Sequence, residues 1–521
     1  MTPELTYAAG AVLGLCAAVY AYFRYALTYW QRRKVPFEPP TVPFGNYAAT
    51  VLGKRSMPQQ AASLYFQNSE EPFIGTFFLG IPLLQLHDPD IIRQVLTKDF
   101  QDFNGRGIHF DPTYDPFSAN LFAMSGPAWK NMRVKLSPTF STGKIKYMFQ
   151  TITDCSVFLA EHITESVKKN GGQYEEDMRE LAARFSTDII SSVAFGVESN
   201  SMKNPNSEFR RMGQKTFEPC LDVSARQLLT FLGAGIMQFF RIRGFPADVD
   251  KFFTNMVSEL VAYREANNVE RADMLNLLIK LKNGGSVSPN GHGPEDKSKA
   301  NGDDDRIKLT EKQIVGQVFV FFLAGFETTS TTTSFTLYEL AKYPDIQEKV
   351  IAEIDAVLKK HGGKVDYDTI MDLPYTEMAI QETMRLYPPV PFLTREAMVK
   401  RQLPTTDVLL DKGTRLMIPV QALHTDPQYW PEPKKYDPLR FTEEAKKARH
   451  PMVYLPFGDG PRICIGMRLG LVQVKMALVT ILSRCTVSLA PGMPFEARIS
   501  PRCIVPAPID GCRLILTARA K

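Results

Sequence analysis

Two long apolar stretches dominate the hydrophobic pattern of the chain, and the first lies at its N-terminus. The stretch from Leu5 to Phe23 carries no charged residue. Its length is close to the ~20 residues that an α-helix needs to cross a bilayer. Aromatic residues cluster at its C-terminal end, as in the interfacial belt of a membrane span: Tyr20, Tyr22, Tyr25, Tyr29 and Trp30. We therefore predict a membrane-anchoring helix within residues 1–34.

The charges beside this stretch predict its orientation. Arg32, Arg33 and Lys34 follow the apolar residues, so the positive-inside rule places the body of the protein in the cytosol and the short N-terminus across the membrane. A cleaved secretory signal is the alternative. A signal carries its positive charges before the apolar run rather than after it, and we therefore favour the anchor.

A proline-rich segment at residues 35–46 separates the apolar N-terminus from the rest of the chain. It holds four prolines in twelve residues, a density that excludes a helix interior or a central strand. Such a segment is expected to act as a stiff spacer. We predict an anchor at residues 1–34, a hinge at 35–46 and a folded body at 47–521.

The body of the chain shows mostly helical patterns. Short apolar runs separated by Gly80 and Pro82 predict an antiparallel hairpin between residues 73 and 86, with a helix beginning near Asp88. Residues 137–271 read as mainly helical. Residues 282–306 are polar and lack apolar periodicity, which predicts a surface loop. Strands are predicted at 414–420 and in the C-terminal segment.

The second long apolar stretch begins at a capping box formed by Thr310 and Gln313. The helix that it opens should end at Tyr343, because the residue before a proline is disfavoured in helical conformation. Further helices are predicted at residues 344–360, ending at a glycine pair, and around residues 382–385.

Composition and charge narrow the class of protein. The chain has 521 residues, and this length alone suggests two or three domains. Its net charge is +5, which is too small to indicate nucleic-acid binding. Its seven cysteines include no Cys-x-x-Cys pair. This argues against a disulfide framework or a zinc site and favours a reducing compartment.

One cysteine lies in a turn rich in glycine and proline. Phe457, Gly460, Arg462, Cys464 and Gly466 follow the spacing Phe-x-x-Gly-x-Arg-x-Cys-x-Gly, and an apolar helix begins directly afterwards. The glycines let the backbone wrap closely around a bound group. The positive end of the helix and the nearby arginine should favour the thiolate, which is the form that binds metals. An ordinary buried free cysteine is the alternative.

This turn resembles the haem-binding loop of the cytochrome P-450 monooxygenases. The resemblance implies that Cys464 is the axial thiolate ligand of a haem b iron and that Phe457 contacts the cofactor. It covers essentially the whole chain, because the motifs described below occur in the family's order. The implied fold is mostly α (α+β): a single helical domain at 47–521 with small β-sheets, preceded by a transmembrane helix.

The second apolar helix contains the segment Ala324-Gly325-Phe326-Glu327-Thr328-Thr329. A carboxylate beside hydroxyls on an apolar helix suits proton delivery, and the hydroxyls can bond back to carbonyls and bend the helix. The alternatives are a solvated polar face or a glycine kink without chemistry. The segment resembles the oxygen-binding segment of the family. The resemblance implies that Ala324 contacts the haem, Thr328 stabilises bound dioxygen and Glu327 relays protons.

Several residues resemble those that hold the haem propionates in this family. Trp129 and Arg133 are four residues apart and share one face of a predicted helix. Arginines at such a site form charge-assisted hydrogen bonds to carboxylates. The full set implied by the resemblance is Arg106, Trp129, Arg133, Arg395 and Arg462.

Glu382 and Arg385 lie three residues apart on one predicted helix and can form an ion pair. The same spacing recurs at Glu176–Arg179 and Glu208–Arg211, so the pattern alone is weak. Only the copy upstream of the cysteine turn resembles the family's fixed Glu–Arg pair. The resemblance implies that Arg440 completes this pair as a structural trio, and His424, nearby, reads as a turn residue.

Together these motifs predict a membrane-anchored haem-thiolate monooxygenase. It would insert one atom of O2 into a lipophilic substrate, either a xenobiotic or an endogenous lipid or hormone. The Ala-Gly-Phe-Glu-Thr-Thr segment and the Tyr-Pro-Pro-Val-Pro-Phe-Leu segment resemble those of insect microsomal detoxification-type members. Candidate pocket walls are residues 103–122, 231–245, 320–324 and 390–393. Residues 228–245 read equally well as a core helix end or as a surface that enters the membrane interface.

The electrons must come from a partner, because no dinucleotide-binding glycine fingerprint follows a predicted strand. The resemblance implies an NADPH-cytochrome P-450 reductase, with cytochrome b5 as a further candidate, at the endoplasmic reticulum membrane. The reductase presents an acidic surface, and the candidate basic complement is Lys130, Lys135, Lys144, Lys146, Lys446, Lys447 and Arg449.

Two other functions remain open from the sequence. A haem-thiolate isomerase or peroxide-rearranging enzyme would need no reductase, but such enzymes often lack the acid–threonine pair that Glu327 and Thr328 supply. A non-catalytic haem sensor or carrier on the membrane would show no oxygen-dependent turnover.

Overall fold

The computed structural model describes residues 3–217, 221–271, 273–283 and 309–519. The predicted polar loop at 282–306 lies outside these residues from position 284 onward.

The described chain is mostly α-helical, which confirms the predicted fold class. The helices are α1 (Pro3–Ala26), α2 (Tyr29–Arg32), α3 (Ala48–Val51), α4 (Met57–Gln67), α5 (Pro89–Arg93), α6 (Gly126–Leu136), α7 (Thr142–Lys169), α8 (Met178–Ile190), α9 (Glu208–Lys215), α10 (Leu221–Leu232), α11 (Ala234–Phe240), α12 (Ala247–Asn267), α13 (Met274–Lys282), α14 (Glu311–Lys342), α15 (Pro344–Lys360), α16 (Tyr367–Met371), α17 (Pro374–Leu386), α18 (Val420–Leu423), α19 (Glu443–Ala448) and α20 (Met467–Leu482).

Short 3₁₀ and π segments connect several of these helices. The π segments are Gln94–Lys98 and Ser191–Phe195, and the 3₁₀ segments are Phe100–Asp102, Pro116–Ser118, Ser137–Phe140, Pro438–Phe441, Pro451–Val453 and Gly460–Arg462.

Within the described ranges, nine strands form three small sheets. They are β1 (Phe73–Phe78), β2 (Ile81–Leu86), β3 (Gln173–Asp177), β4 (Leu393–Glu396), β5 (Arg401–Gln402), β6 (Leu409–Leu410), β7 (Arg415–Ile418), β8 (Cys485–Leu489) and β9 (Arg513–Ala518). The first sheet has the order β1-β2-β7-β4, the second β3-β9-β8 and the third β5-β6. Only the β2–β7 pairing is parallel. The predicted hairpin and C-terminal strands are confirmed.

Helix α14 is the central element of the helical core. Its predicted capping box is present, with Gln313 N–H donating to the Thr310 hydroxyl at 3.3 Å. The helix packs against α8, α12, α17 and α20 and is largely buried. The approach to α8 is close enough to require glycine, because a Cβ on Gly325 would lie 2.6 Å from Cδ1 of Ile190.

Helix α1 has the opposite environment. Its apolar window at Tyr7–Ala26 is long enough to span a membrane and is not buried anywhere against the protein. The assignment of Trp30 to an interfacial belt is wrong. Its side chain is fully buried, and its indole N–H donates to Thr76 O at 3.0 Å inside the first sheet. Trp30 therefore fixes the end of the N-terminal segment to the folded body.

The proline-rich segment also lies on this sheet. Glu38 N–H donates to Gly75 O at 3.1 Å, and Gly75 N–H donates to Pro36 O at 2.7 Å. The Asn46 side chain accepts from Phe77 N–H at 2.8 Å. The segment contains no helix and no strand of its own, and it is held along β1 by backbone hydrogen bonds.

Strand β3 was missed by the reading of residues 137–271 as helical. Its sequence, Gln-Tyr-Glu-Glu-Asp, has no alternation of apolar and polar residues, and its side chains are exposed or half-buried. It becomes a strand because it pairs with β9 over five residues.

Candidate active site

The cysteine turn is tightly packed against the rest of the protein. Gly460 has φ +70°, and a Cβ there would lie 1.9 Å from Leu96 O, so only glycine fits. Cys464 N–H donates to Phe457 O at 2.9 Å, which closes the turn. Gly466 does not use the conformational freedom that was expected of the glycines in this turn. Its φ of −90° is open to other residues, and it is the N-cap residue of α20.

The Cys464 side chain is surrounded by protein but keeps accessible surface. Its surface counts as exposed, yet burial is the largest influence on its thiol, whose pKa is raised above the ordinary value. Both observations hold for a side chain that is packed within the protein but not fully enclosed.

Opposing influences act on the pKa of the Cys464 thiol. The Gly466 N–H and the charges of Arg133 and Arg106 lower the pKa of the thiol, but burial outweighs them. Arg462 is not among these influences. Its guanidinium turns away and donates to backbone oxygens of residues 121–124.

Three arginines form a buried cationic cluster. The side-chain Nε atoms of Arg106, Arg395 and Arg462, together with Nη1 of Arg106, are buried and have no hydrogen-bond partner among the described residues. Burial lowers the pKa of Arg106 well below its usual range, and the neighbouring charges of Arg462 and Arg395 lower it further. Burial also lowers the pKa of Arg395 to about 10 and that of Arg462 to about 9.

This arginine cluster needs an anion. Like charges at close range with buried, unpaired donors are costly, and a carboxylate-bearing group would satisfy both the charges and the donors.

Trp129 and Arg133 join the cluster as predicted by their helical spacing. The Arg462 guanidinium lies over the Trp129 ring, 4.5 Å from its centroid. Arg133 donates through Nη2 to Ile463 O at 2.9 Å, directly beside Cys464. All five predicted residues are thus brought together around the cysteine turn.

One face of α14 lies beside this turn. Ala324 is exposed and Thr328 half-exposed, although the neighbouring positions of the helix are mostly buried. They are one turn apart, and the Thr328 hydroxyl donates to Ala324 O at 2.5 Å. Helix α20 packs against α14 here, since a Cβ on Gly470 would lie 4.0 Å from the Thr329 hydroxyl. Ala324 and Thr328 therefore present a small, polar-edged and partly accessible face of α14.

Glu327 points elsewhere. Its side chain is buried, and its Oε1 accepts from Nη2 of Arg179 on α8 at 2.9 Å. Arg179 is not predicted as a partner of Glu327, because the only local signal is its i,i+3 spacing from Glu176. Glu176 instead contacts His162 at 2.8 Å and Arg184 at 3.5 Å.

The three side chains of the predicted Glu–Arg trio contact one another. Arg385 donates to both oxygens of Glu382 at 2.7 and 2.8 Å, and Arg440 lies 3.4 Å from the same carboxylate. His424 is more than a turn residue. It is fully buried, its backbone oxygen accepts from Arg385 at 2.9 Å, and its Nε2 accepts from Leu455 N–H at 2.8 Å. These bonds tie the trio to the segment that leads into the cysteine turn.

Three of the predicted pocket walls meet through aromatic rings. The Phe231 ring lies 6.4 Å from that of Phe122 and 5.4 Å from that of Phe392. Arg106 lies 3.7 Å from the centroid of Phe122, which links these rings to the arginine cluster. Phe117, also within a predicted wall, is instead a core residue that is almost fully buried.

The fold and the site together define a class: a mostly helical protein with an accessible cysteine in a tight turn, beside buried guanidinium donors that have no hydrogen-bond partner in the described part of the chain. A haem fits these residues, because its two propionates would satisfy the unpaired guanidinium donors and its iron would accept the thiolate.

Comparison with known proteins agrees. Residues 36–508 match the family described as Cytochrome P-450, and the chain belongs to this family. It is 38% identical over 501 residues to cytochrome P-450 6k1 of Blattella germanica, covering 96% of this chain and 95% of the relative. It is 39% identical over 481 residues to the probable cytochrome P-450 6a14 of Drosophila melanogaster, covering 91% and 92%. The protein is thus a haem-thiolate monooxygenase of the cytochrome P-450 family.

Proposed function

We propose that Cys464 ligates the haem iron of a membrane-anchored monooxygenase that hydroxylates a lipophilic compound. The observation that carries this proposal is the set of buried, unpartnered arginine donors around the cysteine turn. When bound, the haem supplies activation of dioxygen, favoured by electron donation from the thiolate. The arginine cluster, with Trp129 and Arg133, holds the propionates and so fixes the cofactor's position.

In this proposal, the polar groups of α14 donate hydrogen bonds and supply protons at the site. Thr328 is partly accessible on α14, and in the proposal its hydroxyl donates a hydrogen bond to the group bound at the site. Glu327, one residue earlier, is the nearby carboxylate that can supply protons to that hydroxyl. The trio of Glu382, Arg385 and Arg440 is structural and keeps the segment before the cysteine turn rigid.

The proposed location is the endoplasmic reticulum membrane, with a single span and the catalytic domain in the cytosol. Two features support it. Helix α1 is apolar and unburied over Tyr7–Ala26. On α11, Phe239 and Phe240 are 81% and 66% exposed, which favours the membrane-interface reading of that region, because two adjacent exposed aromatic rings are costly in water.

Electrons in this proposal come from NADPH through a reductase, with cytochrome b5 as a further donor. Among the candidate basic residues, Lys130 and Lys447 are exposed. Lys146 and Lys446 already pair with Asp368 and Glu443 at 3.0 and 3.1 Å. Arg449 contributes least, because its guanidinium stacks on Trp430, 3.8 Å from the ring centroid.

The substrate class follows from the apolar walls and from the relatives. The Phe122, Phe231 and Phe392 rings favour an apolar ligand. The relatives are insect proteins of the same numbered group, and we propose a detoxification-type role on xenobiotics, with endogenous lipids or hormones as the alternative substrates.

The test uses full-length protein in lipid vesicles with reductase, NADPH and a panel of lipophilic compounds. We expect NADPH- and oxygen-dependent hydroxylation that is lost in Cys464→Ser and kept in Cys155→Ser, a buried cysteine on α7. Turnover of a hydroperoxide without NADPH or reductase would favour an isomerase instead. Tight haem binding with no turnover across the panel would favour a sensor.

A further inference from the structure

A buried glutamine on α14 binds the backbone of the loop at residues 119–124, which we call the wall loop. Gln317 is fully buried. Its Oε1 accepts from Leu121 N–H at 2.9 Å, and its Nε2 donates to Ala119 O at 3.0 Å. Buried backbone groups need partners, and the wall loop belongs to no helix or strand. The Gln317 side chain therefore supplies hydrogen bonds that a neighbouring strand would otherwise provide.

The start of the wall loop is packed closely on α14, whereas its middle is open. A Cβ on Gly316 would lie 2.8 Å from Ala119 O, so helix and loop are in direct contact there. Just before the loop, Phe117 stacks on Phe319 of α14 with the ring centroids 3.9 Å apart. Phe122, in contrast, is 37% exposed. The glutamine bonds thus lie where the chain leaves its tight packing on the helix.

The arginine cluster holds the other side of the wall loop. Arg462 donates through Nη1 to Leu121 O and Phe122 O, both at 3.4 Å, and through Nη2 to Met124 O. Leu121 therefore has its N–H bound by Gln317 and its C=O bound by Arg462. The backbone of this one residue connects the central helix to the arginine cluster.

The Phe122 ring is the part of the wall loop that reaches the predicted pocket. It lies 6.4 Å from the Phe231 ring, and the Arg106 guanidinium lies 3.7 Å from its centroid. The Asn120 side chain accepts from Phe122 N–H at 2.9 Å, but this bond lies within the loop itself. The position of the ring relative to α14 therefore depends on how firmly Gln317 holds the loop.

We propose that Gln317 is a positioning residue for substrate binding, because it fixes the Phe122 ring as a wall of the substrate pocket. In molecules in which the glutamine bonds are absent, the ring leaves the wall. The apparent affinity for an apolar ligand then falls by the fraction of molecules in which the wall is in place. Arg462 still holds the far side of the loop, so the cofactor is retained. This inference rests on the proposed function, since it assigns a residue to the pocket of that enzyme.

A second buried glutamine provides a matched control. Gln347 on α15 is buried, its Nε2 donates to Val487 O at 2.8 Å, and its Oε1 accepts from Val487 N–H at 2.9 Å. Val487 lies on β8, which belongs to none of the predicted pocket walls. Gln317→Leu and Gln347→Leu thus each remove a buried amide that binds the backbone of another segment, and only the first does so at the pocket.

The test titrates full-length holoprotein in phosphatidylcholine vesicles with naphthalene and with 7-ethoxycoumarin, and follows the shift of the haem absorbance. Gln317→Leu should raise the Kd of both compounds about tenfold, which corresponds to an intact wall in about one molecule in ten. KM should rise with it, while kcat changes less than about twofold. Haem per protein should match the wild type. Gln317→Glu, which keeps an acceptor for Leu121 N–H, should lie between the two, and Gln347→Leu should leave both Kd values unchanged.

Two further measurements separate positioning from a general loss of stability. Hydrogen exchange should become faster at residues 119–124 in Gln317→Leu and at β8 in Gln347→Leu. In a Phe122→Ala background, Gln317→Leu should raise Kd by less than about twofold, because it acts through that ring.

Three results would overturn the proposal: an unchanged Kd in Gln317→Leu, an equal rise in Gln347→Leu, or the full rise in the Phe122→Ala background. Loss of haem in Gln317→Leu at the same protein yield would also overturn it, since the residue would then act on the cofactor site. Failure of the proposed function itself would differ, because the wild type would then show neither a spectral shift nor NADPH-dependent product with these compounds.

Discussion

The buried Glu382–Arg385 pair allows a direct test of how burial changes the contribution of a Glu-x-x-Arg ion pair to the stability of the protein. Replacing Arg385 by Met keeps the aliphatic stem but removes the charge. Two hydrogen bonds to Glu382 are lost, as are those to His424 O at 2.9 Å and Lys435 O at 3.2 Å. Both members of the pair are fully buried. The substitution therefore leaves a buried carboxylate without its main partner.

The expected cost follows from this burial. Removing one partner of a buried ion pair costs about 3–5 kcal/mol, because the remaining charge is uncompensated. Arg440, 3.4 Å from the same carboxylate, compensates part of it, so we expect about 3 kcal/mol. The Glu208–Arg211 pair has the same i,i+3 spacing but both side chains are 62% exposed. Its loss in Arg211→Met should cost less than about 1 kcal/mol.

Thermal unfolding of the full-length holoprotein in detergent measures the difference. For a chain of 521 residues, the typical unfolding entropy per residue makes 1 kcal/mol correspond to about 1 °C in Tm. Arg385→Met should lower Tm by about 3 °C and Arg211→Met by less than about 1 °C. Adding Glu382→Gln to Arg385→Met should recover part of the loss, since no buried charge then remains. Equal shifts for the two arginine variants, or a double variant less stable than Arg385→Met, would refute this reasoning.

Three further predictions concern the cysteine turn, acid stability and the arginine cluster. Gly460→Ala should abolish haem incorporation, because its Cβ would meet Leu96 O. The control Gly362→Ala has a similar φ of +64° but open space around it, so it should cost only about 1–2 kcal/mol of stability. The haem absorbance per protein and the Tm of both variants test this. Burial lowers the pKa of His87 to about 4, so the unfolded chain binds the proton more readily than the folded protein does. The free energy of unfolding should therefore fall by about 1.4 kcal/mol per pH unit as the pH is lowered from about 6.5 to 4. Denaturant unfolding against pH should show a shallower acid limb in His87→Gln, and an unchanged slope would contradict the assignment. Arg106→Met should stabilise the haem-free protein by relieving like-charge crowding yet speed haem loss to an acceptor protein; slower loss would show that this cation does not hold the cofactor.

Local rules were sufficient for much of the fold and for the composition of the candidate site. The capping box at Thr310 sets the start of α14, and the proline at position 344 sets its end, because both act within one helical turn. The spacing of Trp129 and Arg133 likewise fixes a shared helix face. The motif order supplied Arg106, Arg395 and Arg462, and the structure brings these three arginines to one place.

What could not be predicted depends on tertiary contacts. Trp30 follows an apolar segment and looks interfacial, but a hydrogen bond and a pocket in the first sheet bury it. Arg179 has an acidic residue three positions earlier, yet its partner is Glu327, 148 residues away. The pKa of Cys464 is decided by burial, which no local spacing reports.

The reduced carbon monoxide difference spectrum of the purified full-length protein tests the central claim most directly. We predict the absorption band of a thiolate-ligated haem in the wild type and in Cys155→Ser, and its loss in Cys464→Ser. A protein that stays colourless after haem-supplemented expression, or a Cys464→Ser variant that keeps the thiolate band, would contradict the assignment of this cysteine as the axial ligand.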